Sequence, residues 1–315
     1  MRNLISVIIP CYCSERTIGL VVEETLAVFE QTGVQDYEII LVNDGSPDRT
    51  YGVIADLSRK YPHVIGVDLA KNCGQHNAIL AGMHYARGEL ILGMDDDLQT
   101  HPSQIPKLLD KISEGYDVVY GKFPRRQHSR FRNLGSWLNE LTIRFLIGKP
   151  KGLTACPMYV IRRFVRNEII RSSSSYTNLQ GLFLRTTANI TNVEIEHFDR
   201  RSGSSGYNLR KLMRLWSACF NYSCKPIFGI GVVGIVELVL GLVLLAVGLA
   251  GACSPLYGVL CLLFGVTTCC LGVAGVYLVR MFMMISKEPQ YVVRQDTLSE
   301  EEQAVYEEDA YSGCR

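Results

Sequence analysis

Short apolar runs alternate with amphipathic stretches over the first hundred residues. "LISVIIP" (4–10) is rich in β-branched residues and reads as a strand; Ser14 to Gln31 has helical periodicity. "YEIILVNDGS" (37–46) is a second strand that stops at a turn, followed by a helix over about 48–60. Then come a strand "HVIGVDLA" (63–70), a helix over about 75–86 and a strand "ELILGMD" (89–95). Apolar strands alternating with helices predict an α/β fold around a mostly parallel sheet covered on both faces. Such sheets bind ligands at the carboxyl ends of their strands. The polar punctuation falls on those ends, as "PCYCSE", "NDGSPD" and "DDDLQ".

The pattern changes after residue 226. Ile227 to Gly251 is an apolar run of 25 residues, about 37 Å long as a helix against a hydrocarbon core of about 30 Å. Leu256 to Val279 is a second, and "ACSP" joins them; Glu237 is the only charge between Ile227 and Val279. Arg210, Lys211, Arg214 and Lys225 precede the pair, and Arg280, Lys287 and Arg294 follow it, which predicts a transmembrane hairpin with both outer ends cytoplasmic. A buried hairpin of a soluble protein is the alternative, and two runs of this length argue against it. Glu237 is expected to face the partner helix or another subunit, with a role towards a lipid substrate as the alternative. Ahead of the hairpin, Leu209, Leu212, Met213, Trp216 and Phe220 share one helical face, as in a helix lying in the membrane interface; a core-facing helix would show the same face. The organisation expected is a cytosolic head (1–205), an interfacial amphipathic helix (206–226), two membrane helices (about 227–251 and 256–280 within 227–285), and an acidic tail (286–315) disordered from 296.

The formal charge of +1 conceals an asymmetry. The last twenty residues hold seven of the 31 acids and one of the 32 bases, which leaves residues 1–295 with a net of +7. A basic body suits an anionic substrate or an anionic leaflet, although ordinary surface charge would read the same way. The eleven cysteines are scattered, and the pair Cys11 and Cys13 has no second pair at zinc spacing, so reduced thiols are expected. "LISVII" is too short for the apolar core of a signal peptide. No nucleic-acid partner is expected.

Several residues at the strand ends carry candidate chemistry. Asp44 sits in "NDGS" before a glycine that permits a tight turn, and capping or turn chemistry competes with ligand binding there. Glu15 is equally readable as a solvated residue of a first helical turn. In "MDDDLQ", acids two apart on an extended segment point the same way, so Asp95 and Asp97 could share a hard divalent cation while Asp96 points elsewhere. "RRSGSSGY" (200–207) combines arginine, suited to phosphate, with small residues that let the backbone approach a ligand; a flexible linker is the alternative.

"SVIIPCYCSE", "EIILVNDGSPD", "NCGQHNAILAGMHYARGELILGMDDDLQ" and "RRSGSSGYNLRKL" follow one another in the order found in family 2 glycosyltransferases of the GT-A fold. Over about residues 4–295 the chain resembles, within that family, the polyprenyl-phosphate glycosyltransferases. These include the dolichyl-phosphate mannose synthases and the bacterial undecaprenyl-phosphate sugar transferases, and the hairpin and "EPQYVVRQ" exit match the bacterial branch. The resemblance implies that Pro10, Tyr12, Glu15, Asp44 and Asp95 hold the nucleotide of a donor. It implies that Asp95, Asp97 and Gln99 form a site for Mg²⁺ or Mn²⁺ on its diphosphate, with Asp97 the direct ligand. Arg200, Gly203, Ser205 and Tyr207 match the family pattern R-x-x-G-x-S-x-Y. Together with Lys122, Arg132, Ser136 and Asn139 they are implied to line the acceptor-phosphate site. Asp97, Arg200, Ser205 and Arg132 are the implied catalytic set.

The chain departs from many relatives in having no Asp or Glu from Lys149 to Arg163. A general base there is not required, because a phosphate monoester is already anionic at neutral pH, its second pKa being about 6. The expected activity is inverting, metal-dependent transfer of one sugar from a nucleotide-sugar, UDP-linked, to undecaprenyl phosphate. The expected place is the cytoplasmic face of a bacterial inner membrane, with head and both termini cytoplasmic and with homo-oligomers formed through the hairpin. A polysaccharide synthase of the same fold is the nearest alternative, against which stand the missing Q-x-x-R-W segment and the two spans only. A non-catalytic scaffold or flippase partner is the alternative of another class.

Overall fold

A computed structural model of the chain describes residues 4–123, 150, 152–171, 179–196, 225–252, 254–285, 289–299 and 303. Its head is built on one sheet whose strands are β1 (Ile5–Cys11), β2 (Tyr37–Asn43), β3 (Val64–Leu69), β4 (Leu90–Gly93), β5 (Val118–Lys122), β6 (Tyr159–Arg162), β7 (Ile190–Glu194) and β8 (Val293–Asp296). They lie in the order β7-β5-β6-β4-β1-β2-β3-β8. β1, β2, β3 and β4 are mutually parallel, β6 is antiparallel to both β4 and β5, and β8 is antiparallel to β3. The expected mostly parallel α/β sheet is observed, and it is of the GT-A type.

Alternation along the strands decides what each helix covers. Val7, Ile9, Ile39, Leu41, Leu92 and Val160 face one apolar layer, into which α1 (Ile18–Thr32), α2 (Thr50–Lys60) and α4 (Ile105–Ser113) pack. Ile8, Ile40, Val42, Ile91 and Ile161 face the other, covered by α3 (Gln75–Tyr85), α5 (Arg163–Arg171) and α6 (Leu179–Thr186). Each such side chain contributes about 1.5–3 kcal/mol on burial, which is why continuous apolar runs become the central strands. α1 buries Ile18, Val21, Val22, Thr25, Val28 and Phe29 at helical spacing and ends at Gly33, whose φ of 72° is the left-handed C-terminal turn. The buried Arg166 of α5 donates to the carbonyls of Met83 (2.7 Å) and His84 (3.3 Å), satisfying the carboxyl end of α3.

The two apolar runs form α7 (Lys225–Leu249) and α8 (Pro255–Ile285). Both contain segments long and apolar enough to cross a membrane: Ile230–Leu249 at mean hydropathy 2.8 and Pro255–Leu278 at 2.3. Gly234, Gly241 and Gly248 recur every seven residues along α7. A Cβ on Gly241 would stand 2.8 Å from the backbone nitrogen of Leu262, and one on Gly248 would stand 2.8 Å from that of Pro255. Gly258 and Gly265 of α8 lie in the same way against Leu245 and Leu238. Small residues on both sides let the two backbones touch, the packing that substitutes for the hydrophobic effect in lipid. Glu237 is half-buried; its Oε2 is buried with no hydrogen-bond partner, and Cys261 Sγ contacts its carbonyl at 3.3 Å. The segment read as an interfacial helix lies, up to residue 224, outside the described residues.

Composition places the start of a disordered tail at residue 296, and the structure corrects this. Asp296 closes β8, Thr297 N–H donates to Gly66 O (3.0 Å), and Gly66 N–H donates to Thr297 Oγ1 (2.8 Å). Leu298 packs with Tyr291 and Val293 against the α3 layer. The free edge of β3 presents a row of unsatisfied backbone groups, and a short polar strand that satisfies them needs little apolar content of its own. Tyr85 Oη donates to Asp296 Oδ2 at 2.9 Å, and Gln303 Nε2 donates to Asp296 Oδ1 at 2.8 Å.

Gly93 pairs with Tyr159 across β4 and β6, and a Cβ on Gly93 would overlap the Tyr159 ring. Gly93→Ala should therefore lower the thermal midpoint of the detergent-solubilised protein by about 3–10 °C, followed by intrinsic fluorescence. A variant that melts with the wild type would show that the ring moves aside.

Candidate active site

Register brings four loops to one edge. Cys11 pairs with Asn43 and Ile8 with Gly93, so β1, β2 and β4 finish side by side; β3 is in step with β2, Asn43 against Asp68. β5, antiparallel to β6 as β4 is, ends on the same edge, which places Lys122 there in register with Glu194. Two non-glycine residues in the loops have left-handed backbone, Cys13 (φ 56°) and Leu98 (φ 60°). Side chains with a Cβ adopt that conformation at a cost of about 1–3 kcal/mol, and it concentrates at functional turns.

Asp96 is the tie between loops. Its Oδ2 accepts the backbone N–H of Tyr12 at 3.2 Å and the hydroxyl of Ser14. Asp96 turns towards the β1 loop and ties it to the end of β4, so it is not the bystander that the sequence pattern suggests; all three acids lie past Gly93, where β4 ends. Burial raises the Asp96 carboxyl above its ordinary range; the bonds from Ser14 and Tyr12 oppose that, and the charge of Asp97 adds to it. The same β1 loop is stitched to the β2 side. Cys13 N–H donates to Ser46 Oγ (3.1 Å), Ser14 N–H to Thr50 Oγ1 (2.8 Å), and Arg49 N–H to Glu15 Oε2 (3.2 Å). Thr50 Oγ1 in turn donates to Asp48 Oδ1 at 2.6 Å. The Tyr12 ring is left 52% exposed at the mouth of the edge.

Asp44 is buried, and both its oxygens are engaged by backbone: Cys73 N–H at 2.7 Å and Gly74 N–H at 2.9 Å. Burial raises its carboxyl and those two bonds oppose the rise. These two bonds are turn chemistry of the kind the sequence leaves open for Asp44, and they shape the loop that leads into α3. Gly45 (φ 60°) makes the approach possible, since a Cβ there would stand 2.6 Å from the Lys71 carbonyl carbon. Pro10 is buried within β1 opposite Val42.

Asp95 and Asp97 are half-buried at the tip of β4. Asp95 Oδ1 accepts from Gln75 Nε2 at 2.6 Å, and Asp97 Oδ1 accepts the N–H of the half-buried Gln99 at 3.0 Å. Among the described residues, no group of three or more His, Cys, Asp or Glu is arranged to hold a metal ion on its own. Two carboxylates and an amide are hard oxygen donors too few for a closed cage. That set fits Mg²⁺ or Mn²⁺, which draw remaining ligands from phosphate and water. The acid-free segment contributes Cys156 and Tyr159, within electrostatic reach of Asp95. Burial first and then the Asp95 charge push Cys156 up to about 11 and Tyr159 well above its usual range, so both stay protonated at neutral pH.

Arg132, Ser136, Asn139, Arg200, Gly203, Ser205 and Tyr207 lie outside the described residues. Within the described ones, Tyr12, Glu15, Asp44, Asp95, Asp97, Gln99 and Lys122 share the carboxyl edge. Gln75 and Ser14 were given no role by the sequence reading. The signal for Gln75 was present in "NCGQHN", a glycine-terminated loop followed by a helix start; Ser14 follows the strand in "PCYCSE".

Comparison with known proteins gives the class. A glycosyl transferase family 2 profile matches residues 6–170. The chain belongs to glycosyl transferase family 2 and is a glycosyltransferase. It is 33% identical over 242 residues to the undecaprenyl-phosphate 4-deoxy-4-formamido-L-arabinose transferase of Photorhabdus laumondii subsp. laumondii, covering 76% of this chain and 74% of that one. To the protein of the same name from Proteus mirabilis it is 33% identical over 244 residues, covering 77% and 74%. The fold is similar to the crystal structure of glucosyl-3-phosphoglycerate synthase from Mycobacterium tuberculosis in complex with Mn²⁺, UDP and phosphoglyceric acid. That match has a TM-score of 0.51 at 18% identity, covering 69% of this chain and 78% of that one.

The Asp96 tie carries a pH signature. A carboxyl raised above its ordinary 3.8 binds its proton more tightly in the folded state, so the fold loses stability as pH rises from about 4 through the folded value. Asp96→Asn removes that loss. Its thermal midpoint relative to wild type should climb between pH 4 and pH 8, while nucleotide binding weakens because the β1 loop has lost its charged acceptor. A pH-independent difference would contradict the assignment.

Proposed function

We propose that the protein transfers a single sugar from a nucleotide-sugar, UDP-linked, to undecaprenyl phosphate, forming a polyprenyl-phosphate sugar at the cytoplasmic face of a bacterial inner membrane. The observation that carries this reading is the convergence of Tyr12, Asp95 and Asp97 on one strand edge of a family 2 chain that also has a membrane-length hairpin. The names of the relatives, which match over three quarters of the chain, supply the acceptor class.

The roles follow from chemistry. The exposed Tyr12 ring offers a face for the base, and Asp44 fixes the neighbouring loop. Asp95 and Asp97 are the residues to hold Mg²⁺ or Mn²⁺, with Gln75 orienting Asp95. The cation, when bound, neutralises charge on the leaving diphosphate. An acceptor phosphate oxygen attacks the anomeric carbon opposite the bond to the diphosphate. That bond breaks with its electron pair passing to the nucleoside diphosphate, and the anomeric configuration inverts. The attacking oxygen carries no proton, so the protonated Cys156 and Tyr159 beside Asp95 are consistent with a site that needs no base and works by positioning and electrostatics. Lys122, Arg132, Ser136, Arg200, Ser205 and Tyr207 are assigned to the acceptor phosphate.

Membrane topology is supported from two directions. Basic residues flank both outer ends of the hairpin. β8, which follows α8 in the chain, belongs to the same sheet as β1, so head and exit segment share one side.

The test is a panel of nucleotide-sugars incubated with undecaprenyl phosphate and Mg²⁺ or Mn²⁺, read as label in the chloroform phase. UDP-4-deoxy-4-formamido-L-arabinose is the first donor to try, given the relatives. Extractable labelled lipid is expected; polymer would mark a synthase, and no product a scaffold. Asp97→Asn keeps an acceptor for the Gln99 N–H and should cut transfer by about a hundredfold or more with the fold intact. Undiminished transfer would remove Asp97 from the metal site.

A further inference from the structure

The strand that returns from the membrane hairpin does more than close a sheet edge. Arg294 on β8 reaches over β3: its Nη2 donates to Ala70 O at 2.8 Å and its Nη1 to Asp68 Oδ2 at 3.4 Å. Arg294 is exposed, whereas the Asp68 side chain is 3% exposed, so the arginine is the cationic partner of a buried carboxylate. The other Asp68 oxygen accepts Asn43 Nδ2 at 2.7 Å. That bond orients the Asn43 amide so that its Oδ1 accepts Ser46 N–H at 3.3 Å, and Ser46 Oγ accepts Cys13 N–H at 3.1 Å. A hydrogen-bonded line therefore runs from β8 through Asp68, Asn43 and Ser46 to the β1 loop that holds Tyr12. A second contact reinforces it. Ala70, gripped through its carbonyl by Arg294 and through its N–H by Val292 O (2.8 Å), opens the loop whose Cys73 and Gly74 bind Asp44.

We propose that Arg294 is a positioning residue for the donor nucleotide, acting through Asp68 and Asn43 on the loops after β1, β2 and β3. The inference rests on the reading that these loops hold a nucleotide. An ordinary edge strand would need only backbone pairing, and an exposed ion pair alone contributes little. Here the arginine neutralises a carboxylate that is buried and already committed to Asn43. Its removal leaves Asp68 to draw Asn43 and its turn out of place.

The experiment uses the full-length protein in lipid nanodiscs, titrated calorimetrically with UDP, GDP, ADP, CDP and dTDP in turn with Mg²⁺, alongside steady-state transfer. Arg294→Ala should weaken the nucleotide that the wild type binds by about tenfold, the scale of one lost hydrogen bond to a charged group. Donor KM should rise by a similar factor, with kcat and acceptor KM within about twofold. Arg294→Lys should recover part of the affinity, and the pair with Asp68→Asn should be no worse than either alone. Asp296→Ala, which loosens β8 through Tyr85 and Gln303 but keeps Arg294, should leave nucleotide affinity near wild type. Should Arg294→Ala fail to fold, an intermediate affinity for Arg294→Lys still supports the proposal, and wild-type affinity in that variant overturns it. Wild-type nucleotide affinity in Arg294→Ala, or equal weakening by Asp296→Ala, overturns the inference alone. A wild type that binds none of the five nucleotides overturns the nucleotide reading and this inference with it.

Discussion

Three consecutive carboxylates repel one another, and the edge where they meet is stable only because each is assigned a different partner. Asp95 takes the amide of Gln75 from α3, Asp96 takes the N–H of Tyr12 and the hydroxyl of Ser14, and Asp97 takes the N–H of Gln99 two residues on. The first two sets of bonds draw α3 and the β1 loop to the end of β4, and the third closes a local turn. These bonds offset the repulsion that would scatter the acids, and the middle carboxylate serves as a structural post.

The central strands were readable because they are buried on both faces. A run such as "VIIP" or "IILV" has no alternative location in water, and the polar break at its end marks the edge of the sheet. The edge strand β8 was not readable on that basis. It is four residues long, and "VRQD" is polar; it is a strand because of the edge it pairs with, a long-range fact absent from local composition. The site shows the same division. Asp95 and Asp97 were legible as candidates in "MDDDLQ", whereas the tie that Asp96 makes depends on where the β1 loop stands, more than eighty residues earlier in the chain. Asp44 was legible as a turn former or a ligand contact, and only the positions of Cys73 and Gly74 decide what its oxygens do.

The hairpin obeys different rules from the head. In the head, glycines occur where a ring or a backbone leaves no room, as at Gly93 in β4 and Gly45 in the loop after β2. In the hairpin they recur every seven residues, so that α7 and α8 approach backbone to backbone and the larger apolar side chains point outward, among them Val232, Leu242, Leu263 and Phe264. A seam of this kind holds the two helices at one spacing along their length.

The return of β8 also orders events during synthesis. Arg294 and its acceptor Ala70 are separated by 224 residues, and the entire hairpin lies between them. While the ribosome is still making α7 and α8, β3 is an uncovered edge and Asp68 is without its cation. The head thus emerges first but is completed last. Its edge strand β8 arrives only once both hairpin helices have left the ribosome, so completion of the sheet is tied to the making of the hairpin.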